Sequence, residues 1–342
     1  MNFKVVMVFD PTKVPKDFSE RIMGTGAEFF IYPDLKTEAE VLSACRDADY
    51  IMTVVRLYPF TSTVLRGLKK CRFIQTLGVG YEAIDLKVAS ELGIGVIHLR
   101  GFCNEELAEH AMALMLSCAR WIVGLHNRVK IGNPVGSATA EAFQHMSILK
   151  GKILGIIGFG NAGRALVPKA KGFEMKVLAY DRYVPRMVTD QMNVESVSLD
   201  QLIEESDFIS IHANLTPETR NMIGVEQFKK MKRNAIIVNT ARGAIINENA
   251  LCIALSEGYI AGAGLDVTEP DPPPANSPLL SFNNVILTGH NAGSSPESQV
   301  AMWTVPIEEL SRVMRGEWPL GFVNPEVKEK YAAKWGEMKE PK

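Results

Sequence analysis

The stretch ILGIIGFGNAG, from Ile153 to Gly163, decides the fold of this 342-residue chain. An apolar run typical of a buried strand leads directly into a G-x-G-x-x-G pattern, and residues of helical composition follow from Arg164 to Lys171. The glycines alone are weak evidence, because the pattern also arises by chance. The order strand, glycine loop, helix is that of a dinucleotide-binding unit, which the stretch therefore predicts.

Each residue of the loop has an expected role. Gly158 permits a tight turn, Gly160 lets the backbone approach a pyrophosphate, and Gly163 lets the helix pack on the strand. The amides near Asn161 and Ala162 then face phosphate oxygens at the helix N-terminus. The alternative is a tight strand-to-helix turn without a ligand, and the acidic residue at the end of the next strand disfavours it.

A second apolar strand, Lys176 to Tyr180, ends in Asp181. A carboxylate at this place accepts hydrogen bonds from the adenosine ribose and repels the 2′-phosphate of NADP, although Arg182 offsets part of that repulsion. The sequence therefore favours NAD as cofactor. Within the helix after the loop, Pro168 removes an amide, which predicts a kink or an early end.

Length and periodicity predict two α/β domains. Before the loop, four short apolar runs alternate with helical patterns and predict a small domain with a parallel sheet: Lys4 to Phe9, Tyr50 to Val55, Phe73 to Thr76 and Gly95 to His98. From Lys152 onward, six strands separated by helical patterns predict a doubly wound parallel sheet: ILGIIG, KVLAYD, FISIHA, AIIVNT, AGAGLDV and VILTGH.

The segments around these sheets have simpler patterns. Apolar residues recur every three or four positions from Glu105 to His126, which predicts one long helix. Residues 127–147 hold glycines and a proline without a sustained period, which predicts a loop. Residues 295–315 have a helical pattern, and the charged tail from Glu326 is expected to be a solvated helix or disordered.

Composition excludes several classes of partner. With 37 basic and 39 acidic residues and no long run of either sign, neither nucleic acid nor a membrane is an expected partner. The five cysteines are widely spaced and form no zinc pattern, so we expect buried thiols in a reducing compartment and no metal site. The N-terminal apolar run is too short for a signal peptide, so a cytoplasmic protein is expected.

Three further segments place a chemically useful side chain directly after an apolar strand. They carry Arg242, Asp266 and His290, and the strand ends of a doubly wound sheet line its ligand crevice. An arginine can clamp a carboxylate or carbonyl bidentately, and a histidine held by a neighbouring carboxylate can exchange a proton on oxygen. Together with a dinucleotide, this set suits hydride transfer.

At this point the chain resembles the D-2-hydroxyacid dehydrogenase family, from about Tyr50 to Pro325. The resemblance is carried by several motifs in family order: LGVGYEAIDL at 77–86, NEELAEHAMALML at 104–116, GFGNAG at 158–163, HANLTPETRNMI at 212–223, VNTARGAIIN at 238–247, GLDVTEPDP at 264–272 and GHNAG at 289–293. It implies an NAD-dependent oxidoreductase that interconverts a 2-oxo acid and its D-2-hydroxy acid.

The resemblance also implies roles for single residues. Arg242 matches the substrate-binding arginine, His290 the acid/base and Asp266 the contact to the nicotinamide amide. The backbone of Val79 and Gly80 matches the site of the substrate carboxylate, which Arg242 and His290 complete. The implied cofactor-binding set is Gly158, Gly160, Asn161, Ala162, Gly163, Asp181, His212, Thr240, Ala241, Arg242, Asp266, His290 and Gly293.

The chain departs from the family at the catalytic acid, which is usually a glutamate just before a proline. Asp271, followed by Pro272, occupies that position and is one methylene shorter. Either its loop moves inward, or Glu269 substitutes, or the pair with His290 is weaker. We expect Asp271, with Glu269 in reserve.

The loop at Arg56, Leu57 and Tyr58 matches a substrate-recognition loop, and an ordinary solvated loop is an equal alternative. For the remaining histidines, His98, His110, His126 and His145, we expect structural roles.

The family's architecture has two Rossmann-like or flavodoxin-like domains with the active site in the cleft between them. It implies a discontinuous substrate-binding domain, 1–99 plus 294–342, and an NAD-binding domain, 100–293. The resemblance also implies a homodimer with its contact on the helix from Glu105. A different class within the superfamily, NAD-sensing corepressors that bind peptide partners, keeps similar arginine and histidine residues and stays open as an alternative.

Overall fold

A computed structural model of the chain describes residues 3–33, 35–54, 58–136 and 139–341. It divides into two compact units, which we call the first unit, Met1–Phe102 with Pro296–Lys342, and the second unit, Cys103–Ser295. The assignment of 1–99 plus 294–342 to substrate binding and of 100–293 to NAD binding stays a prediction. Arg56 and Leu57, the centre of the expected recognition loop, lie outside the described residues.

The first unit contains a five-stranded parallel sheet in the order β2-β1-β3-β4-β5, the order of flavodoxin-like folds. Its strands are β1 (Lys4–Val8), β2 (Glu28–Tyr32), β3 (Tyr50–Thr53), β4 (Phe73–Thr76) and β5 (Gly95–Ile97), and its helices along this segment are α1 (Phe18–Met23), α2 (Glu38–Cys45), α3 (Ser62–Gly67) and α4 (Leu86–Glu91). Alternate residues of the central strands enter two different cores, Val6 and Ile51 on one face and Val5 and Tyr50 on the other. Because both faces are buried, the strands are continuous apolar runs, as predicted.

The second unit begins with α5 (Asn104–Ala119), α6 (Ile122–Lys130) and α7 (Ala140–His145). The prediction of one long helix is wrong, because Trp121 takes a left-handed φ of 51° between α5 and α6. Its indole lies so close to Gly124 that a Cβ there would be 2.1 Å from the ring nitrogen, so the break depends on a tryptophan packed on a glycine. The expected loop at 127–147 likewise contains the end of α6 and all of α7.

A seven-stranded parallel sheet follows in the order β12-β11-β10-β9-β6-β7-β8. Its strands are β6 (Ile153–Ile157), β7 (Lys176–Tyr180), β8 (Glu195–Ser196), β9 (Phe208–Ile211), β10 (Ile236–Asn239), β11 (Gly262–Leu265) and β12 (Val285–Leu287), and its helices are α8 (Asn161–Gly172), α9 (Arg186–Gln191), α10 (Leu199–Glu205), α11 (Val225–Lys230) and α12 (Glu248–Ser256). The strand order reverses between β6 and β9, which creates a crevice at their carboxyl ends. Two parallel sheets with flanking helices confirm the predicted α/β class.

The helix after the glycine loop does not end at Pro168, so the prediction of an early end is wrong. It continues to Gly172, and its residues Leu166, Val167 and Ala170 are buried in the core of the unit. The favourable free energy of burying this face offsets the loss of the hydrogen bond that proline removes. Tertiary packing can override intrinsic helix propensity in this way.

The C-terminal segment forms α13 (Pro296–Met314) and α14 (Lys328–Trp335) of the first unit. The tail is a helix, as one of the two expectations had it, but one face is buried, because Val327 and Tyr331 enter the core of the unit. The Arg72 guanidinium lies 4.7 Å from the centre of the Trp335 ring and adds a cation–π contact. None of the helices in the described ranges combines the length and apolar character that crossing a membrane requires.

Candidate functional site

The three glycines after β6 each meet a different spatial requirement. Gly158 has a left-handed φ of 92°, and a Cβ there would lie 2.4 Å from the backbone nitrogen of Ala213. A Cβ on Gly163 would lie 2.3 Å from the Gly158 carbonyl oxygen, so this glycine lets α8 approach the strand. A Cβ on Gly160 would meet no heavy atom within 4 Å. The loop is therefore tight where the chain packs and open where a pyrophosphate would approach α8.

Asp181 directly follows β7, and its carboxylate accepts a hydrogen bond from the backbone of the glycine loop. Its Oδ2 accepts a hydrogen bond from the Phe159 amide at 2.8 Å, and its Oδ1 accepts from the amides of Tyr183 and Val184 at 2.8 and 3.1 Å. The carboxylate thus accepts three backbone hydrogen bonds beside the loop. This is the place at which a ribose is expected.

Arg182 forms an ion pair with Glu218. Its guanidinium donates to Glu218 at 2.9 Å, and the Tyr183 hydroxyl donates to the same carboxylate at 3.0 Å. Because a paired carboxylate offsets the positive charge of a guanidinium, Arg182 attracts a 2′-phosphate less strongly than an unpaired arginine would. Sequence reasoning missed Glu218, because nothing in a linear pattern indicates that residue 218 faces residue 182.

The strands β10, β11 and β12 are neighbours and parallel, so their carboxyl ends lie along one edge of the sheet. Arg242 follows β10, Asp266 follows β11 and His290 follows β12. The strand-end argument therefore brings these three residues to one edge. One guanidinium nitrogen of Arg242 donates to the Ala241 carbonyl at 2.8 Å, which orients its side chain.

The structure pairs the His290 ring with the Asp271 carboxylate: Nδ1 and Oδ2 are joined by a hydrogen bond. Glu269 takes another direction, with its carboxylate 3.7 Å from Arg220 and more than half of its side chain exposed. The segment carries two cis peptide bonds, Glu269–Pro270 and Asp271–Pro272. Of the two acids considered from the sequence, Asp271 is the one that contacts the imidazole.

Asp266 is almost completely buried and anchors the loop that carries His290. Its Oδ1 accepts from the Thr288 hydroxyl at 2.6 Å and from the Asn291 amide at 2.8 Å, and its Oδ2 accepts from the Ala292 amide at 2.9 Å. His110 of α5 extends this network, since its Nε2 lies 2.9 Å from the Thr288 hydroxyl. Asp266 is thus a structural anchor at the site expected for the nicotinamide.

Other residues of the expected cofactor set lie around the same crevice. His212 follows β9 beside the glycine loop, its amide donates to Ile157, and its Nε2 is 2.8 Å from the Ser210 hydroxyl. Burial lowers the pKa of His212 to about 4, so the ring is neutral near pH 7. A Cβ on Gly293 would lie 3.2 Å from the Cys103 sulfur, which keeps this position small.

Two observations fit these residues to a dinucleotide. The space beside Gly160 is open, and the buried Thr240 hydroxyl has no hydrogen-bond partner among the described residues. A buried, unpaired hydroxyl costs free energy unless a ligand satisfies it. Thr240 and Ala241 follow β10 at the sheet edge where the cofactor set converges.

In the first unit, the expected substrate residues Val79 and Gly80 lie in the short loop after β4. The carbonyl of Gly78 accepts from the Thr76 hydroxyl at 2.7 Å and from the Leu99 amide at 2.9 Å. The carbonyl of Val79 lies 3.0 Å from Nδ1 of His98. The loop is thus held by its carbonyl oxygens.

All five cysteines are free thiols, and Cys45, Cys71 and Cys103 are buried. Burial raises the pKa of the Cys103 thiol to about 12, so it is not a nucleophile near neutral pH.

Comparison with known proteins agrees with this geometry. The sequence profile described as the D-isomer specific 2-hydroxyacid dehydrogenase NAD binding domain matches residues 112–292. A glyoxylate reductase of Korarchaeum cryptofilum is 38% identical over 323 residues, which cover 92% of this chain and 96% of the relative. A D-3-phosphoglycerate dehydrogenase of Methanocaldococcus jannaschii is 39% identical over 316 residues, which cover 92% of this chain and 57% of that longer protein.

Among solved structures, the D-lactate dehydrogenase of Aquifex aeolicus, complexed with NAD and lactic acid, aligns with a TM-score of 0.79 and 28% identity. The alignment covers 95% of this chain and 98% of that one. The matched profile confirms the prediction of NAD as cofactor. Fold, strand-end chemistry and sequence similarity agree, and the chain belongs to the D-isomer specific 2-hydroxyacid dehydrogenase family.

Proposed function

We propose that this chain reduces small 2-oxo acids of the glyoxylate and hydroxypyruvate class with NADH, and that His290 and Asp271 form its proton-transfer pair. Its family membership makes it an NAD-dependent oxidoreductase that interconverts 2-oxo acids and 2-hydroxy acids. The observation that carries the residue assignment is the hydrogen bond between the His290 ring and the Asp271 carboxylate. The substrate class is supported by relatives described as glyoxylate reductase and hydroxypyruvate reductase.

The proposed roles follow from donors and acceptors. A carboxylate only accepts hydrogen bonds, so Nδ1 of His290 donates the hydrogen bond to Asp271. Nε2 is then the nitrogen that donates a proton to the substrate oxygen. Asp271 stabilises the protonated ring, and Arg242 clamps the substrate's carboxylate or carbonyl. Bound NADH supplies the hydride that reduces the carbonyl carbon. His290 takes up a proton again after each turnover.

We also propose that the amides of Val79 and Gly80 bind the substrate carboxylate. The carbonyls of Gly78 and Val79 are occupied by donors of their own unit. Consecutive backbone amides that share one direction form an anion-binding concavity. A carboxylate is the anion that every 2-oxo acid presents.

The preference for NADH over NADPH rests on the Asp181 carboxylate and on the pairing of Arg182 with Glu218. The carboxylate repels a 2′-phosphate, and Glu218 competes for the guanidinium that would attract it. The pair is exposed, so the contribution of Glu218 is small and that of Asp181 dominates.

We propose a homodimer as the assembly. The apolar residues of α5 are mostly buried within the second unit, whereas the following segment exposes a set of large apolar side chains: Ile122, Val123, Val129, Ile131, Phe143 and Ile148. Such a concentration on one segment is typical of an interface. Light scattering of the purified protein and of Ile131→Asp distinguishes a dimer from a monomer, and a monomeric unsubstituted chain would contradict the proposal.

NADH oxidation measured with a panel of 2-oxo acids, with NADPH as the paired cofactor control, tests the function. We expect the highest kcat/KM for glyoxylate or hydroxypyruvate with NADH. The proposal would be contradicted if the chain bound NADH but reduced no member of the panel. That result would favour the corepressor-like alternative, which the comparisons do not favour.

A further inference from the structure

The loop after β4 has two consecutive peptide groups whose carbonyl oxygens are held in place. The peptide group from Gly78 to Val79 has its oxygen on the Thr76 hydroxyl and the Leu99 amide, at 2.7 and 2.9 Å. The peptide group from Val79 to Gly80 has its oxygen 3.0 Å from Nδ1 of His98. Two of these three donors are side chains, so they can be removed without changing the backbone.

Holding a carbonyl also sets the direction of the amide in the same peptide group. Both peptide bonds are trans, and a trans peptide directs its C=O and N–H to opposite sides. The amides of Val79 and Gly80 therefore face away from Thr76 and His98. Within the described ranges neither amide donates a hydrogen bond, and a Cβ added to Gly78 would meet nothing within 4 Å.

We infer that His98 and Thr76 are positioning residues, which aim the amides of Val79 and Gly80 at the carboxylate of the 2-oxo acid. This inference rests on the proposed function, in which these amides bind that carboxylate. Neither side chain touches the substrate in this arrangement. Their effect is on how well the acid binds, and not on hydride or proton transfer.

His98 is well suited to hold a fixed direction. A carbonyl oxygen only accepts, so Nδ1 must carry the proton, and burial lowers the pKa of His98, which keeps the ring neutral near pH 7. The ring meets Tyr81 edge to face, with centroids 5.7 Å apart. The His98 amide donates to the Gly321 carbonyl at 2.9 Å, so the backbone beneath the ring is held as well.

Four single variants separate positioning from general structure. His98→Phe keeps a ring but removes the donor, and His98→Asn restores an N–H near the place of Nδ1. Thr76→Val removes the other donor. Thr25→Val is the matched control, because the Thr25 hydroxyl makes the same kind of bond, 2.6 Å to the Ile22 carbonyl, after α1 of the same unit.

Steady-state kinetics are measured with the best 2-oxo acid at saturating NADH. We expect His98→Phe to raise KM for the acid about fivefold to tenfold, as loss of one partly buried hydrogen bond would, with kcat and KM for NADH changed less than twofold. His98→Asn should recover most of that loss. Thr76→Val should raise KM only about twofold to threefold, because the Leu99 amide still holds the Gly78 carbonyl, and Thr25→Val should leave KM unchanged.

Binding of oxamate to the NADH-loaded protein, followed by calorimetry, gives a readout that needs no turnover. If the unsubstituted chain reduces 2-oxo acids but His98→Phe leaves both KM and oxamate affinity unchanged, the inference is wrong and the function stands. If His98→Phe lowers kcat as much as it raises KM, and His98→Asn does not recover it, the positioning role is also wrong. If no acid is reduced, the function fails, while a His98-dependent affinity for oxamate still supports the inference.

Discussion

Replacing Asp271 with Asn removes the negative charge from the partner of His290 and preserves the shape of the side chain. The protonated ring then loses the carboxylate that its Nδ1 contacts. In the proposed mechanism His290 donates a proton in each reduction, so the variant should be slower at neutral pH. We also expect the pH dependence of its rate to differ from that of the unsubstituted chain, because a hydrogen-bond acceptor of the proposed proton donor is changed.

The size of the effect follows from the burial of the pair. A hydrogen bond to a charged group contributes about 1.5 to 3 kcal/mol. About 30% of the His290 side chain and 17% of that of Asp271 are exposed, so solvent screening favours the lower half of that range. Since 1.4 kcal/mol corresponds to about a factor of ten, we expect kcat for reduction at pH 7 to fall about 10-fold to 40-fold.

Glu269→Gln is the matched control, because Glu269 lies two residues away on the same segment and contacts Arg220 instead. Initial rates of NADH oxidation are recorded from pH 5 to 9 for both variants, with NADH affinity followed by fluorescence. We expect the Glu269 variant to keep both its rate and its pH dependence. A larger loss or change in pH dependence for Glu269→Gln than for Asp271→Asn would refute the assignment and move the acid to residue 269.

Three further variants test other parts of the site. His290→Ala should lower kcat about 100-fold to 10,000-fold while NADH still binds, since general acid catalysis contributes that range, and an unchanged kcat would remove His290 from the chemistry. Asp181→Asn should raise KM for NADH about tenfold and narrow the preference over NADPH, and an unchanged ratio of the two kcat/KM values would contradict the role of Asp181. The pKa of His212 is lowered to about 4 by burial, whereas in the unfolded chain it is near 6.5. This burial does not lower the free energy of unfolding above pH 6.5, but it lowers that free energy as the pH falls below 6.5, by about 2 kcal/mol between pH 7 and 5. Urea unfolding at the two pH values measures this loss. His212→Gln should remove it, and an unchanged pH dependence in the variant would disprove the effect.

Most of the strands that the sequence predicted are buried along most of their length, and the two that it missed lie at sheet edges. In β2, Glu28 and Phe30 are exposed and the other residues only half-buried, so its apolar run FFIY is not that of a strand buried on both faces. The second missed strand, β8, has only two residues. An edge strand pairs with only one neighbour and can be very short, so a strand such as β8 leaves too few residues for a pattern in the sequence.

The position of the site was predictable because parallel strands deliver their carboxyl ends to one edge. The rule that parallel strands end at one edge of the sheet placed Arg242, Asp266 and His290 together without any measured distance between them. It could not tell which acid meets the imidazole, because Glu269 and Asp271 are two residues apart and each directly precedes a proline. Partners from distant segments, such as Glu218 for Arg182 or His98 for the Val79 carbonyl, were likewise beyond a linear pattern.

The backbone at His290 explains why Asp266 is buried beside it. Both Gly289 and His290 have left-handed φ angles, 64° and 63°, and for a residue with a Cβ this conformation costs about 1 to 2 kcal/mol. Asp266 offsets that cost from both ends, since its carbonyl accepts from the His290 amide and its carboxylate accepts from two amides and one hydroxyl of the same loop. The direction of the His290 ring is therefore set jointly by a strained backbone and a buried carboxylate. Asp271 meets a ring whose direction the loop has already set, and its carboxylate contacts Nδ1 although its side chain is one methylene shorter than a glutamate.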